Sequence, residues 1–244
     1  MKKARRNSWL KWSVIVVGAF LMAGCKTVAP ALPPALQDFG PVYKASNVYR
    51  RSPALPAEVR RVALLPLTAS VNSDVFDSGI ENLEPLIYSE LEKTMRFEIV
   101  PVSRAQLKQW TGEGSWRTDE ALPHDLFYKI AQDTGCDAVL FCQLTRYQPY
   151  PPLAIGWKFS LVQNPKDSEI PEEFQAQIVW SVDEVLDGGE PAVATGARLY
   201  YMQHLRNDAA SSDPAIILGS PVRFGQYTLA ELLGTLPVRG GKMK

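Results

Sequence analysis

The sequence predicts an α/β (α+β) domain with a three-layer-like sheet. It is built as strand, helix, strand, helix, strand, followed by an antiparallel strand pair and C-terminal helices. Three observations predict it. Short continuous apolar runs at Val62-Ala63-Leu64-Leu65 and Ala138-Val139-Leu140-Phe141-Cys142 have the character of buried strands. Between them lie stretches whose apolar residues recur at helical spacing. Beyond residue 153 the period changes to two, the mark of antiparallel strands with one face buried.

The chain opens with Lys2, Lys3, Arg5, Arg6 and Lys11, then an uncharged run from Trp12 to Gly24 that ends in small residues. This is the layout of an export signal. The run of about 13 residues is shorter than the roughly 20 that a spanning helix needs, so residues 1–24 are expected to be a cleaved signal peptide. Leu21-Met22-Ala23-Gly24-Cys25 resembles the lipobox of bacterial lipoproteins, with Met22 where Leu is usual. That resemblance implies acylation of Cys25 and contact with membrane lipid through it. Two or more acyl chains hold a protein stably, at about 0.8 kcal/mol per buried methylene. Lys26 stands where an Asp would signal inner-membrane retention, so the expected address is the outer membrane, facing the periplasm.

The precursor has 26 basic and 26 acidic residues. Removing residues 1–24 leaves 21 against 26, a net charge of about −5, which is no footprint for nucleic acid. Residues 25–56 carry Pro30, Pro33, Pro34, Pro41, Pro53 and Pro56 among alanines and read as an extended, lipidated tether. A single periplasmic domain is expected over 57–238 and a disordered basic tail over 239–244.

Within the domain, Arg60 to Leu67 reads as the first strand, and Pro66 marks its exit. Leu83, Leu86, Ile87 and Leu91 form one helical face, in which Pro85 fits only within the first turn. Arg96 to Val102 alternates as a second strand. Ser103 caps a short helix that stops at Thr111-Gly112, and a polar loop with Trp116 follows. Leu126, Phe127, Ile130 and Ala131 stripe a helix over 123–134 that Gly135 terminates.

The third strand runs from Asp137 to Tyr147. Ile155, Trp157, Phe159 and Leu161 then share one face of the next strand, and Ala176, Ile178, Trp180 and Val182 one face of its partner, with a polar loop over 164–173 between. A helix is expected after Pro191 and another over 221–236.

The start Arg61-Val62-Ala63-Leu64-Leu65-Pro66-Leu67, the phrase from Ser89 to Val100 and Gly135-Cys136-Asp137-Ala138-Val139-Leu140 resemble a periplasmic lipoprotein superfamily. It includes the CsgG curli-secretion lipoprotein, the LpoB-type activators of peptidoglycan synthases and the N-terminal domain of TolB. The resemblance covers residues 60 to 147. It implies a shared fold and, across relatives that secrete fibres, switch on synthases or bind partners, no single function. A CsgG-like channel puts two hairpins per subunit through the membrane, whereas this chain offers one pair of strands, within 154–186.

No phosphate-binding loop, nucleophile elbow or metal-spaced cluster occurs in the sequence. Asp183-Glu184 and Glu172-Glu173 are adjacent residues that point to opposite faces of a strand and read as solvated charges. His124 reads as a surface or capping residue and His204 as a partly buried structural histidine. Cys136 and Cys142 lie about 20 Å apart if on one extended strand, too far for a disulfide, and read as buried apolar residues.

No catalytic residue, metal, cofactor or small-molecule substrate is therefore expected. Two readings of function stand side by side. One is a non-enzymatic binding or assembly module for an envelope protein or a second copy; the other is a subunit of a CsgG-like oligomeric export channel. Candidate contact residues are Tyr147 and Tyr150, held on the proline-braced Arg146 to Leu153 connection, with Trp157 and Trp180 on the strand pair.

Overall fold

The computed structural model describes residues 40–117, 119–123, 125–163, 177–205 and 213–240. Cys25, His124, the loop over 164–173 and residues 241–244 lie outside them.

The apolar run at the first strand forms β3 (Arg61–Leu64), with parallel neighbours on both sides: β5 (Glu98–Pro101) and β6 (Ala138–Gln148). Asp137 sets the pairing with β6, because its Oδ2 accepts the Arg60 and Arg61 amides at 3.0 Å each. The Gly-Cys-Asp motif before β6 thus serves the sheet. β6 continues antiparallel to β7 (Ala154–Gln163), which pairs antiparallel with β8 (Gln177–Asp187).

Two elements come from the expected tether. β1 (Val48–Arg50) pairs antiparallel with β8 at the sheet edge, and β2 (Ala54–Leu55) pairs parallel with β9 (Val238–Arg239). The expected tether therefore overlaps the domain from Tyr43 onward, and Arg239, assigned to the tail, is in a strand. Across the main sheet the order is β1-β8-β7-β6-β3-β5, with β4 (Thr68–Ala69) also pairing with β6.

Helices cover both faces. α1 (Asp74–Thr94) is capped at its start by Ser73 and buries Leu83, Ile87 and Leu91. Pro85 lies in its interior, not in its first turn. The ring deprives the Glu81 carbonyl of its helical partner, and the apolar face packed on the sheet offsets that loss. α2 (Arg104–Thr111) carries the Ser103–Gln106 capping box and ends at Gly112 with φ +86°. α3 (Leu126–Thr134) ends at Gly135 with φ +66°. α4 (Pro191–Tyr200) runs into a π-helical turn over Tyr201–Leu205, and α5 (Pro221–Leu233) follows the 3-10 turn Pro214–Gly219.

The main core lies between α1, α4 and α5 and one face of the sheet, and it contains Trp157, Phe159, Leu161, Trp180 and Val182. A smaller core joins Ala63, Leu65, Val139 and Phe141 on the other face to Leu107, Phe127 and Ile130 of α2 and α3. Trp116, unexpected in a polar loop, packs against this second core and donates its indole N–H to Thr111 Oγ1 at 2.8 Å.

Register irregularities interrupt the alternation twice. On β8, Leu161 faces Trp180 and Val162 faces Ile178, so Val179 is an extra residue. Val179 is buried in the main core and Ile178 is exposed, a correction to the expected shared face of Ile178, Trp180 and Val182. On β6, Thr145 is the extra residue between pairs Leu144–Trp157 and Arg146–Gly156. It shifts the inward phase from Leu144 to Tyr147.

Candidate functional site

Of the four candidate contact residues, only Tyr150 meets solvent substantially, at 78 % exposure. Tyr147 lies against Gly79 of α1, where an added Cβ would come within 2.9 Å of its ring. Trp157 and Trp180 are fully buried: their indole N–H groups donate to Thr228 Oγ1 at 2.9 Å and Thr235 Oγ1 at 3.1 Å. Tyr147, Trp157 and Trp180 are therefore not placed to meet a partner, because the inward strand phase takes these three into the core. The same placement weighs against membrane insertion of the hairpin within 154–186, which would have to draw both tryptophans out of that core.

The sheet instead offers its outer face. α2 and α3 cover the half formed by β3, β5 and the start of β6. Among the described residues, no helix packs over the part formed by β1 and β8, whereas Val162 of β7 belongs to the second core. One row across the outer face runs Tyr49, Ser181, Ser160, and the next Asp183, Lys158, Gln143. Ile178, Tyr49 and Val185 are exposed apolar residues on the uncovered part. The free edge of β1 borders it, and because Ser160 and Gln143 are buried, the open surface lies over β1 and β8, where Tyr49, Ile178, Val185 and Asp183 are exposed.

Concavities lie elsewhere. A cavity of about 460 Å³ opens at the carboxyl ends of β3 and β5, where open α/β sheets bind ligands. Leu64, Leu67, Ile87 and Val102 line it. Its polar rim is already paired: Glu84 accepts the Leu67 amide at 2.8 Å and meets Arg104 at 2.8 Å, and Arg104 also donates to the Leu67 carbonyl at 2.9 Å.

A second cavity, of about 600 Å³, separates Lys44 and Arg50 from α4 and α5. His204 lines it, exposed and stacked on Tyr200 at 4.7 Å and 8°, so the expected partly buried histidine sits at the surface. Burial, with the nearby Glu90 carboxylate, pushes the Tyr200 phenol up to about 12. Burial also raises the Glu231 carboxyl beside this cavity.

Glu184, read in the sequence as a solvated charge, has a specific task. It occupies an inward phase of β8, between Val182 and Leu186, where the pattern calls for an apolar residue. Its Oε1 accepts the Ser46 amide at 2.5 Å, the Asn47 amide at 2.6 Å and the Ser46 hydroxyl at 3.0 Å. The Tyr43 hydroxyl lies close by but outside good hydrogen-bond geometry. Burial draws the carboxyl upward, yet these donors outweigh it and hold the group below its ordinary range. An acid at an inward strand position was the signal available in the sequence.

Cys136 and Cys142 are buried, as expected, and neither is in a disulfide among the described residues. Among the described residues no group of acids, cysteines and histidines is arranged to hold a metal ion, and no helix is long and apolar enough to cross a membrane.

No family model matches the sequence, and no curated protein matches it. Solved structures similar in part include lipoprotein GNA1162 from Neisseria meningitidis, at 14 % identity over 64 % of this chain and 100 % of that one, with a TM-score of 0.37. The PelC dodecamer from Paraburkholderia phytofirmans is similar at 15 % identity over 72 % of this chain and 96 % of that one, with a TM-score of 0.36. The LpoB C-terminal domain from Escherichia coli is similar at 15 % identity over 53 % of this chain and 83 % of that one, with a TM-score of 0.30. Similarity at this level fixes neither the fold nor the role of this chain.

Proposed function

We propose that the chain is an outer-membrane lipoprotein, held by acylated Cys25, whose domain is a non-enzymatic binding or assembly module for an envelope protein or for a second copy of itself. One observation carries the contact reading: part of the outer sheet face, over β1 and β8, exposes Tyr49, Ile178 and Val185 with no helix among the described residues packed on it. Apolar side chains grouped on an exposed face mark surfaces of association. The lipobox resemblance at Cys25 supports the anchored reading, and the Lys26 that follows supports the outer membrane.

The test places a photo-crosslinking residue singly at Tyr49, Ile178 and Val185 in the full chain in native membranes, with Tyr128, exposed on α3, as the control. Discrete protein adducts from the three positions and none from Tyr128 are expected. The binding reading is abandoned if the three positions behave like the control. An unmodified Cys25 thiol in mass spectra of the same material removes the anchored part.

A further inference from the structure

We infer that the segment from Tyr43 to Arg51 is a releasable latch, clasped to the edge of β8 through Glu184, which sets how much free chain lies between Cys25 and the domain. The clasp is narrow. Three donors of Ser46 and Asn47 converge on one carboxylate oxygen, and the Asn47 side chain donates to the Asp183 carbonyl at 2.9 Å. On either side of it, the Tyr43 amide donates to the Ala192 carbonyl at 3.1 Å and the Arg51 amide to the Val179 carbonyl at 3.0 Å. Arg50 Nε also reaches the Thr235 carbonyl at 2.6 Å.

The apolar hold is slight: Tyr43, Ala45 and Val48 are only partly buried, and every other residue from Lys44 to Arg50 is exposed. A segment with few buried contacts and exposed hydrogen bonds belongs to the low-stability end of a fold and opens without global unfolding. Release has a natural stop. Leu55 and Val59 are buried in the main core, so the chain stays fixed from β2 onward.

The functional consequence rests on the anchored reading of Cys25. At about 3.4 Å per residue of extended chain, the lipidated end could lie roughly 60 Å from its first fixed point with the latch closed, and roughly 100 Å with it open. Opening also bares the edge of β8 that β1 occupies, a ready template for another strand. A single carboxylate thereby couples the reach of the domain to the state of its sheet edge.

Hydrogen exchange on the full chain purified in detergent tests the latch. Glu184→Ala removes the acceptor, and Ser46→Pro removes two of the donors without altering the domain. In both variants the amides of Asn47 and Arg51 are expected to exchange at least tenfold faster, while β6 and β7 keep their protection within twofold. The proposal is overturned if Arg51 stays protected when Asn47 does not, if neither changes, or if protection is lost across β6 and β7 as well. The mass of Cys25 in the same sample reads the anchor separately, so the two ideas fail independently.

Discussion

The indole N–H of Trp157 donates to the Thr228 hydroxyl at 2.9 Å, and that hydroxyl donates in turn to the Gly225 carbonyl at 2.9 Å. This chain of bonds joins the middle of the sheet to α5 inside a fully buried setting. Thr228→Val keeps the shape and strips the indole of its acceptor. A loss of about 1–3 kcal/mol is expected, the cost of a buried unpaired donor. Urea unfolding should show a lower midpoint with an unchanged slope.

Gly196 on α4 has Tyr227 directly above it, and a Cβ there would overlap the phenol oxygen. Gly196→Ala is expected to cost about 1–3 kcal/mol through overpacking. Among the described residues the buried Tyr227 hydroxyl has no hydrogen-bond partner, so Tyr227→Phe alone should be neutral or stabilising. In the double variant, removal of the oxygen recovers part of the loss, which a double-mutant cycle from urea denaturation measures directly.

Met95 ends α1 at φ +51°, ψ 32°, the left-handed region, and its side chain is 86 % exposed. Its side chain buries little, and the backbone conformation is one that glycine adopts without strain. Met95→Gly should therefore raise stability by about 0.5–1 kcal/mol. Thermal melts of the two proteins side by side check the sign.

Acid should open the latch. In the folded protein the Glu184 carboxyl titrates below its ordinary value, which is 4.5. Its stabilising contribution is therefore complete above that ordinary value and lost as pH falls through the lower, folded one. Tyr43, which faces this carboxylate together with Glu231 and Glu190, stays neutral throughout, since burial and those acids raise its phenol. Exchange at Asn47, corrected for its intrinsic pH dependence, should accelerate as pH falls below the ordinary value of 4.5 in the native chain and be insensitive to pH in Glu184→Gln.

Glu231 should show the opposite sign. Burial raises its folded value above 4.5, so the folded state holds its proton to higher pH than the unfolded chain does. Its ionisation costs stability as pH rises through that window and costs nothing below it. Glu231→Gln should therefore be more stable than the native chain at pH 8 and equal to it at pH 4, as guanidinium titrations at the two pH values would show.

Most of the framework was legible in the sequence because its signals are local. Ser103 and Gly112 delimit α2, Gly135 ends α3, and the apolar runs at β3 and β6 sit at their expected places. β1 and β2 were not legible: strands of three and two residues show no periodicity, and their partners β8 and β9 lie far away in the chain. The phase of Ile178 was misplaced because an extra residue leaves no mark on composition. For the candidate site, the tyrosines and tryptophans drew attention by type, but strand phase decided their burial. Glu184 reads as a solvated charge beside Asp183 because its donors, Ser46 and Asn47, lie far away in the chain.

The extra residue at Val179 also bears on how chains of this design can differ in length. Deleting it would let Val162 keep Ile178 and Leu161 keep Trp180 as neighbours in an uninterrupted ladder, with one valine withdrawn from the interior. No strand would change its partner and no loop would need to shorten. Among homologous chains, this is one of two spots inside the sheet, with Thr145, where a gap of a single position in an alignment is expected to fall.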